Sequence, residues 1–238
     1  MTQQQNTKGN LNYQTPEPPF VGQGGLIAII KYNAGNVQSV QYALQRLNAE
    51  SIVTDDATII RNADKVIFPG VGHAAPAMQY LRERGLDKLI TSLEQPVLGI
   101  CLGQQLMCRH SEEGDTKCLG IFDEDVKLFV PAPPLMGEVG RGLKVPQIGW
   151  NSIYNYKSVL FDGLTDESYV YAVHSYYTAL GNETIATTNY VHPYSAALQK
   201  NNFYAVQFHP EKSSTVGATI LKNFINLPLN PLKGTFGA

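Results

Sequence analysis

Apolar residues fall along this chain in two alternating textures. Leu26-Ile27-Ala28-Ile29-Ile30 is a continuous apolar run of strand length. Such runs suit strands buried on both faces, as in a parallel sheet. A polar, glycine-containing loop follows over residues 31–36, and then Val37, Val40, Leu44 and Leu47 recur at helical spacing. The unit repeats: Lys65-Val66-Ile67-Phe68 reads as a short strand stopped by Pro69-Gly70-Val71-Gly72, with a helix expected over residues 75–83. Another helix is expected near residues 86–93, then a buried strand at Pro96-Val97-Leu98-Gly99-Ile100 and a helix over residues 104–110. Strands alternating with helices predict an α/β domain with a mostly parallel central sheet flanked by helices.

After about Gly120 the texture changes. Pro131-Ala132-Pro133-Pro134 and Gly137, Gly140 and Gly142 mark a long irregular connection. Beyond it, strands are expected over residues 168–173, 185–190, 195–199 and 203–208, separated by turn residues such as Gly181-Asn182. Residues 215–225 close the pattern as an amphipathic helix. The late strands are short and turn-linked, which predicts an antiparallel extension on the parallel core. Residues 1–24, rich in Gln, Asn, Thr and Pro, read as a flexible tail. Residues 25–238 read as one domain.

Composition narrows the function classes. Charged residues are 16% of the chain and the net charge is −2, with no basic stripe of the kind nucleic acid requires. No apolar run reaches membrane-spanning length. The N-terminus lacks the pattern of a secretory signal, so a cytoplasmic protein is expected. Three cysteines, Cys101, Cys108 and Cys118, show no metal-like pairing and fit a reducing compartment. No metal and no cofactor is expected.

The strongest chemical signal is Gly99-Ile100-Cys101-Leu102-Gly103, after a strand and before a helix. It is the cysteine version of the nucleophile elbow, a sharp turn that exposes its central residue at a helix start. A lone buried cysteine would usually be inert packing; the strand, elbow, helix order favours chemistry. A thiolate needs a base and a group that orients the base. His209 and Glu211 stand two apart in Gln207-Phe208-His209-Pro210-Glu211, at the end of an expected strand. On a strand they would share a face, with Pro210 turned away.

Together these residues resemble the class I glutamine amidotransferases, whose glutaminase domains carry a G-x-C-x-G elbow and a late His-Pro-Glu. Within that family the chain is most similar to glutaminase subunits that serve a separate barrel-shaped synthase in histidine biosynthesis. The stretches that carry the resemblance are Tyr32-Asn33-Ala34-Gly35-Asn36, Pro69-Gly70-Val71-Gly72, the elbow with Gln104-Gln105, Gly149-Trp150-Asn151, Val173-His174-Ser175-Tyr176-Tyr177 and Gln207 to Ser213. They run in the family's order over residues 26–224.

The resemblance implies a catalytic triad of Cys101, His209 and Glu211. It implies an oxyanion site built from the amide of Leu102 and the Gly70-Val71 backbone, with glutamine held by Gly72, Gln105, Ser175 and Tyr176. Tyr171 and Lys212 match positions beside the subunit interface and the ammonia route. The partner implied is a barrel-type cyclase/synthase subunit, forming a heterodimer. Lys31, Asn33 and Gln147-Ile148 depart from the family's pattern, at positions expected to lie in interface loops. His73, His110 and His192 carry no assigned role, and His174 is at most a pocket-shaping residue. Three other readings stay open: a glutaminase serving another amidating synthase, such as one acting on a surface polysaccharide, a stand-alone cysteine hydrolase, and a non-catalytic regulatory subunit.

Overall fold

The computed structural model describes residues 25–33, 37–130 and 144–228. The expected tail at 1–24, part of the Tyr32-to-Asn36 motif and the Pro- and Gly-rich connection at 131–143 lie outside the described residues. In chain order the elements are β1 (Ile27–Ile30), α1 (Val37–Arg46), β2 (Ser51–Thr54), α2 (Ala57–Asn62), β3 (Lys65–Phe68), α3 (Ala74–Glu83), α4 (Leu86–Thr91), β4 (Val97–Ile100) and α5 (Leu102–Met107). There follow β5 (His110–Ser111), β6 (Thr116–Lys117), β7 (Asp125–Leu128), β8 (Gln147–Tyr154), β9 (Ser168–His174), β10 (Tyr176–Thr178), β11 (Thr184–Asn189), β12 (Pro193–Lys200), β13 (Phe203–Val206) and α6 (Ser214–Ile225).

One nine-stranded sheet, in the order β2-β1-β3-β4-β13-β12-β11-β8-β9, organises the described residues. Strands β2, β1, β3, β4 and β13 are parallel neighbours. From β13 outward through β12, β11, β8 and β9 every pairing is antiparallel. The apolar run at β1 and the expected strand β4 are buried along their whole length, and so is the short strand β3, its Lys65 included. Two apolar clusters cover the two faces. Val66, Phe68, Met78, Leu81 and Leu106 belong to one, and Ile27, Ile29, Leu98, Val206, Ile220 and Phe224 to the other. Alternate residues of one strand thus feed opposite faces.

The C-terminal ends of β3 and β4 lie side by side at the centre of the sheet, and β13 flanks β4. A ligand crevice beyond the carboxyl ends of parallel strands is the general rule for open α/β sheets. A second sheet runs in the order β10-β7-β5-β6. Its two-residue strands are too short to show a period in the sequence. Three expectations change. The helix after the elbow ends at Met107, and His110 opens β5. Gln147 and Ile148 start the eight-residue strand β8 and do not lie in a loop. Strand β13 ends at Val206, before His209.

Candidate active site

Cys101 sits between β4 and α5 with φ 54° and ψ −107°, a backbone conformation that L-residues rarely adopt. Neighbouring elements hold it there. Its N–H donates to the Val206 carbonyl at 2.8 Å, tying the elbow to β13. The flanking glycines are required by space. A Cβ on Gly103 would stand 1.9 Å from the Phe68 carbonyl oxygen, and one on Gly99 would stand 2.9 Å from the Met107 sulfur. The elbow thus brings the start of α5 against the end of β3, next to the Pro69-to-Gly72 turn.

His209 and Glu211 do meet, for a different reason than strand alternation. His209 has an extended backbone (φ −101°, ψ 95°) and caps a single 3-10 turn, Pro210–Lys212. That turn brings the carboxylate back, and His209 Nδ1 lies 2.8 Å from Glu211 Oε1. Their side chains are only 4% and 2% exposed, so the pair is held away from water. Burial alone pushes the imidazole down. Hydrogen bonding to the Cys101 side chain and to the Glu211 carboxylate outweighs that and raises it to about 10. The segment is also clamped to β9. His209 N–H donates to the Tyr171 carbonyl at 2.9 Å, Tyr171 N–H to Ser213 Oγ at 2.9 Å, and the Ser213 hydroxyl to the His209 carbonyl at 2.6 Å.

Cys101 and His209 share a cavity of about 310 Å³, also lined by Val71, Gly72, Leu102, Gln105, Ser175, Tyr176 and Lys212. Tyr171 is not among the lining residues; it stacks edge-on against Trp150 on the outer face of β8 and β9, with ring centroids 6.1 Å apart. Gly72 has φ 116°, where glycine is favoured. The Gly70 carbonyl accepts the Leu102 N–H at 3.3 Å. One of the two expected oxyanion donors is therefore occupied by a backbone acceptor. Tyr32 fixes that turn: its hydroxyl donates to the Pro69 carbonyl at 2.6 Å.

Gln105 is 4% exposed, and its amide N–H groups already reach the Tyr176 carbonyl and Gln207 Oε1, each at 3.1 Å. Only its oxygen is left to face a ligand. The cavity is also lined by residues without an assigned role, His73 and Glu113 among them. Glu113 is oriented by the Ala74 N–H at 2.7 Å and lies 3.0 Å from His73 Nδ1. The order Glu112-Glu113-Gly114 reads as an ordinary surface turn, so only its fold onto the start of α3 reveals it. His174 is buried, with Nδ1 2.7 Å from the Tyr176 carbonyl and Nε2 3.1 Å from the Tyr194 hydroxyl. Burial pulls its pKa down to about 4, so it serves as a neutral scaffold residue. The arrangement brings together a cysteine nucleophile, an imidazole base oriented through Nδ1 by Glu211, and a cavity of amino-acid size that carries several polar side chains.

Comparison with known proteins adds an independent line. Residues 28–227 match the family model described as "Glutamine amidotransferase class-I". The chain is 56% identical over 201 residues to "Imidazole glycerol phosphate synthase subunit HisH" of Bacteroides thetaiotaomicron, covering 84% of this chain and 99% of that one. It is 45% identical over 203 residues to the protein of the same name in Escherichia coli (strain K12), with the same coverage. Among solved structures, a glutamine amidotransferase from Thermotoga maritima aligns with a TM-score of 0.52 at 19% identity, covering 85% of this chain and 81% of that one. That likeness speaks for the fold.

Proposed function

The chain belongs to the class I glutamine amidotransferase family, and from that premise we propose how its residues work. It is the glutaminase subunit of an imidazole glycerol phosphate synthase in histidine biosynthesis. It hydrolyses glutamine to glutamate and passes ammonia to a separate barrel-type synthase, with which it forms a cytoplasmic heterodimer. The observation that carries the reading is one cavity holding Cys101 on its strained elbow and His209 oriented by Glu211.

Cys101 and His209 form a thiolate–imidazolium pair. The thiolate attacks the glutamine carboxamide carbon, forming the S–C bond and an oxyanion. His209 gives its proton to the leaving nitrogen as the C–N bond breaks, and ammonia departs. A thioester remains on Cys101. Water, deprotonated by His209, attacks it and releases glutamate, and the proton regenerates the pair. Glu211 keeps the ring in the tautomer this requires. Glu113 suits the substrate's α-ammonium, since among the described residues it is the carboxylate that lines the cavity. The Ser175-Tyr176 backbone and the Gln105 oxygen complete the hold.

The occupied Leu102 N–H supports a resting state. Turning the Gly70-Val71 peptide over would free that donor and bring the Val71 N–H inward. A single oxyanion donor is worth about a hundredfold or more in rate. Docking of the synthase is the natural trigger. On β8 and β9, Ile148, Trp150, Tyr171 and Val173 are cross-strand neighbours on one face. Ile148 and Trp150 are exposed there, and Val173 continues into the cavity wall. Lys212 and Tyr171 then flank the ammonia route. The test is to mix the purified chain with the barrel synthase from the same genome and follow glutamate release with and without the synthase's nucleotide ligand. Strong stimulation is expected. No glutamate from any combination would refute the glutaminase reading, and full activity from the chain alone would refute the resting state.

A further inference from the structure

Gln207 lies outside the triad, yet it is 1% exposed and directly beside the nucleophile. It follows β13, with its N–H donating to the Ala196 carbonyl at 2.8 Å. Phe208 is buried in the core, and the residues on either side of it, Gln207 and His209, both face Cys101. The Gln207 amide nitrogen stands 3.8 Å from the Cys101 sulfur.

Which end of an amide faces a neighbour is decided by the surrounding hydrogen bonds. The Tyr176 carbonyl can only accept, so Gln105 must turn its NH2 toward it. The same NH2 reaches Gln207, so Gln207 must present its oxygen there. That leaves the NH2 of Gln207 pointing at the sulfur. Tyr176 is itself anchored from the other side by His174 Nδ1 at 2.7 Å. Gln105 and Gln207 are 4% and 1% exposed, so few other partners are within reach of their amides.

The sulfur needs such a donor. The Val173 carbonyl also faces the sulfur, at 3.9 Å, an acceptor that suits S–H and opposes a negative sulfur. Cys101 is only 6% exposed, and a charge on a buried sulfur is costly unless donors face it. We infer that Gln207, held in orientation by Gln105, is a hydrogen-bond donor that stabilises the Cys101 thiolate alongside His209. The inference rests on the glutaminase reading for its purpose, although its geometry does not.

The test uses the reduced, full-length chain. Alkylation of Cys101 by iodoacetamide is followed by mass spectrometry across pH for wild type, Gln207→Met and Gln105→Met. Tyr32, Tyr194 and His209, the titratable groups that interact with the Cys101 charge, and His174 beside them, are unchanged in both variants. Gln207→Met is expected to move the alkylation midpoint up by about one pH unit, the scale of one lost hydrogen bond to a charged group. Gln105→Met frees Gln207 to turn over and is expected to move it in the same direction by less. In the complex with the barrel synthase, Gln207→Met should lower kcat about tenfold and leave KM nearly unchanged. An alkylation profile superimposed on wild type, or a loss confined to KM, overturns the inference. If Gln207→Met fails to fold, as judged by its melting curve, an unshifted Gln105→Met profile overturns it instead. A wild-type complex that makes no glutamate would defeat the glutaminase reading and leave the alkylation result standing.

Discussion

Cys101 lines the cavity, while Cys108 and Cys118 are buried outside it. Burial pushes the Cys108 thiol up strongly and the Cys118 thiol up to about 12, so neither is reactive near neutral pH. Cys101→Ala should leave less than about one per cent of glutaminase activity, while the complex still uses added ammonium; Cys108→Ala and Cys118→Ala should stay close to wild type. His209→Asn should cost about as much, and Glu211→Gln less, because the ring keeps its cysteine neighbour. Steady-state glutamate release checks all five. The two buried imidazoles respond to pH in opposite senses. His209 is raised to about 10, so the stability contributed by its charged form is complete below about 6.5 and lost as pH rises through about 10. His174 is lowered from 6.5 to about 4, so its contribution is present above 6.5 and lost as pH falls through about 4. His174→Gln should therefore melt well below wild type at pH 7, with the gap narrowing steadily toward pH 4. Thermal melts across that range decide it; a constant gap would mean that His174 is not held neutral by the fold.

At the scale of elements, the elbow depends on how β3, β4 and α5 are pressed together. Gly103 lets the first turn of α5 lie against the end of β3, where a Cβ would overlap the Phe68 carbonyl. Backbone cannot yield as a side chain tip can. Gly103→Ala should cost about 3 kcal/mol or more in urea unfolding and should impair activity with it. Gly120→Ala is the control: nothing lies within 4 Å of its Cβ position, so only its φ of 70° opposes the change, at about 1 kcal/mol. Equal losses in the two variants would refute the packing account. The elbow was legible in the sequence because strand, turn and helix are contiguous there. The His209–Glu211 pair was legible by its spacing, but the reason was not: a 3-10 turn, not a strand, brings them together. Strand β8 was missed because Gly149, Trp150 and Asn151 break its alternation, and its face is exposed at Ile148 and Trp150.

For the whole molecule, the outer face of β8 and β9 joins the cavity to the surface. Trp150 is 55% exposed and Ile148 64% exposed, large apolar groups that a solitary protein has little reason to display together. Trp150→Ala should weaken binding of the barrel synthase by about thirtyfold, the cost of a tryptophan at an interface centre. The low basal activity of the isolated chain should be unchanged. Titration calorimetry reads the first and glutamate release the second; an unaltered dissociation constant would move the docking face elsewhere.

What the sequence determined by itself was chemistry that neighbours in the chain complete. The buried runs at β1, β3 and β4, the cysteine between two glycines and the histidine two residues before a glutamate are all short-range patterns, and short-range patterns survive without the fold. Tertiary structure alone decided the rest. The Gly70 carbonyl rests on the Leu102 N–H, Tyr32 reaches across 37 residues to Pro69, and Gln105 spends its donors on Tyr176 and on Gln207, 102 residues away. Glu113 arrives in the cavity only because a 39-residue return brings it to the first turn of α3. The direction of a backbone carbonyl or a side-chain amide is set by whichever partner the fold brings within hydrogen-bonding reach, and no spacing along the chain encodes that choice.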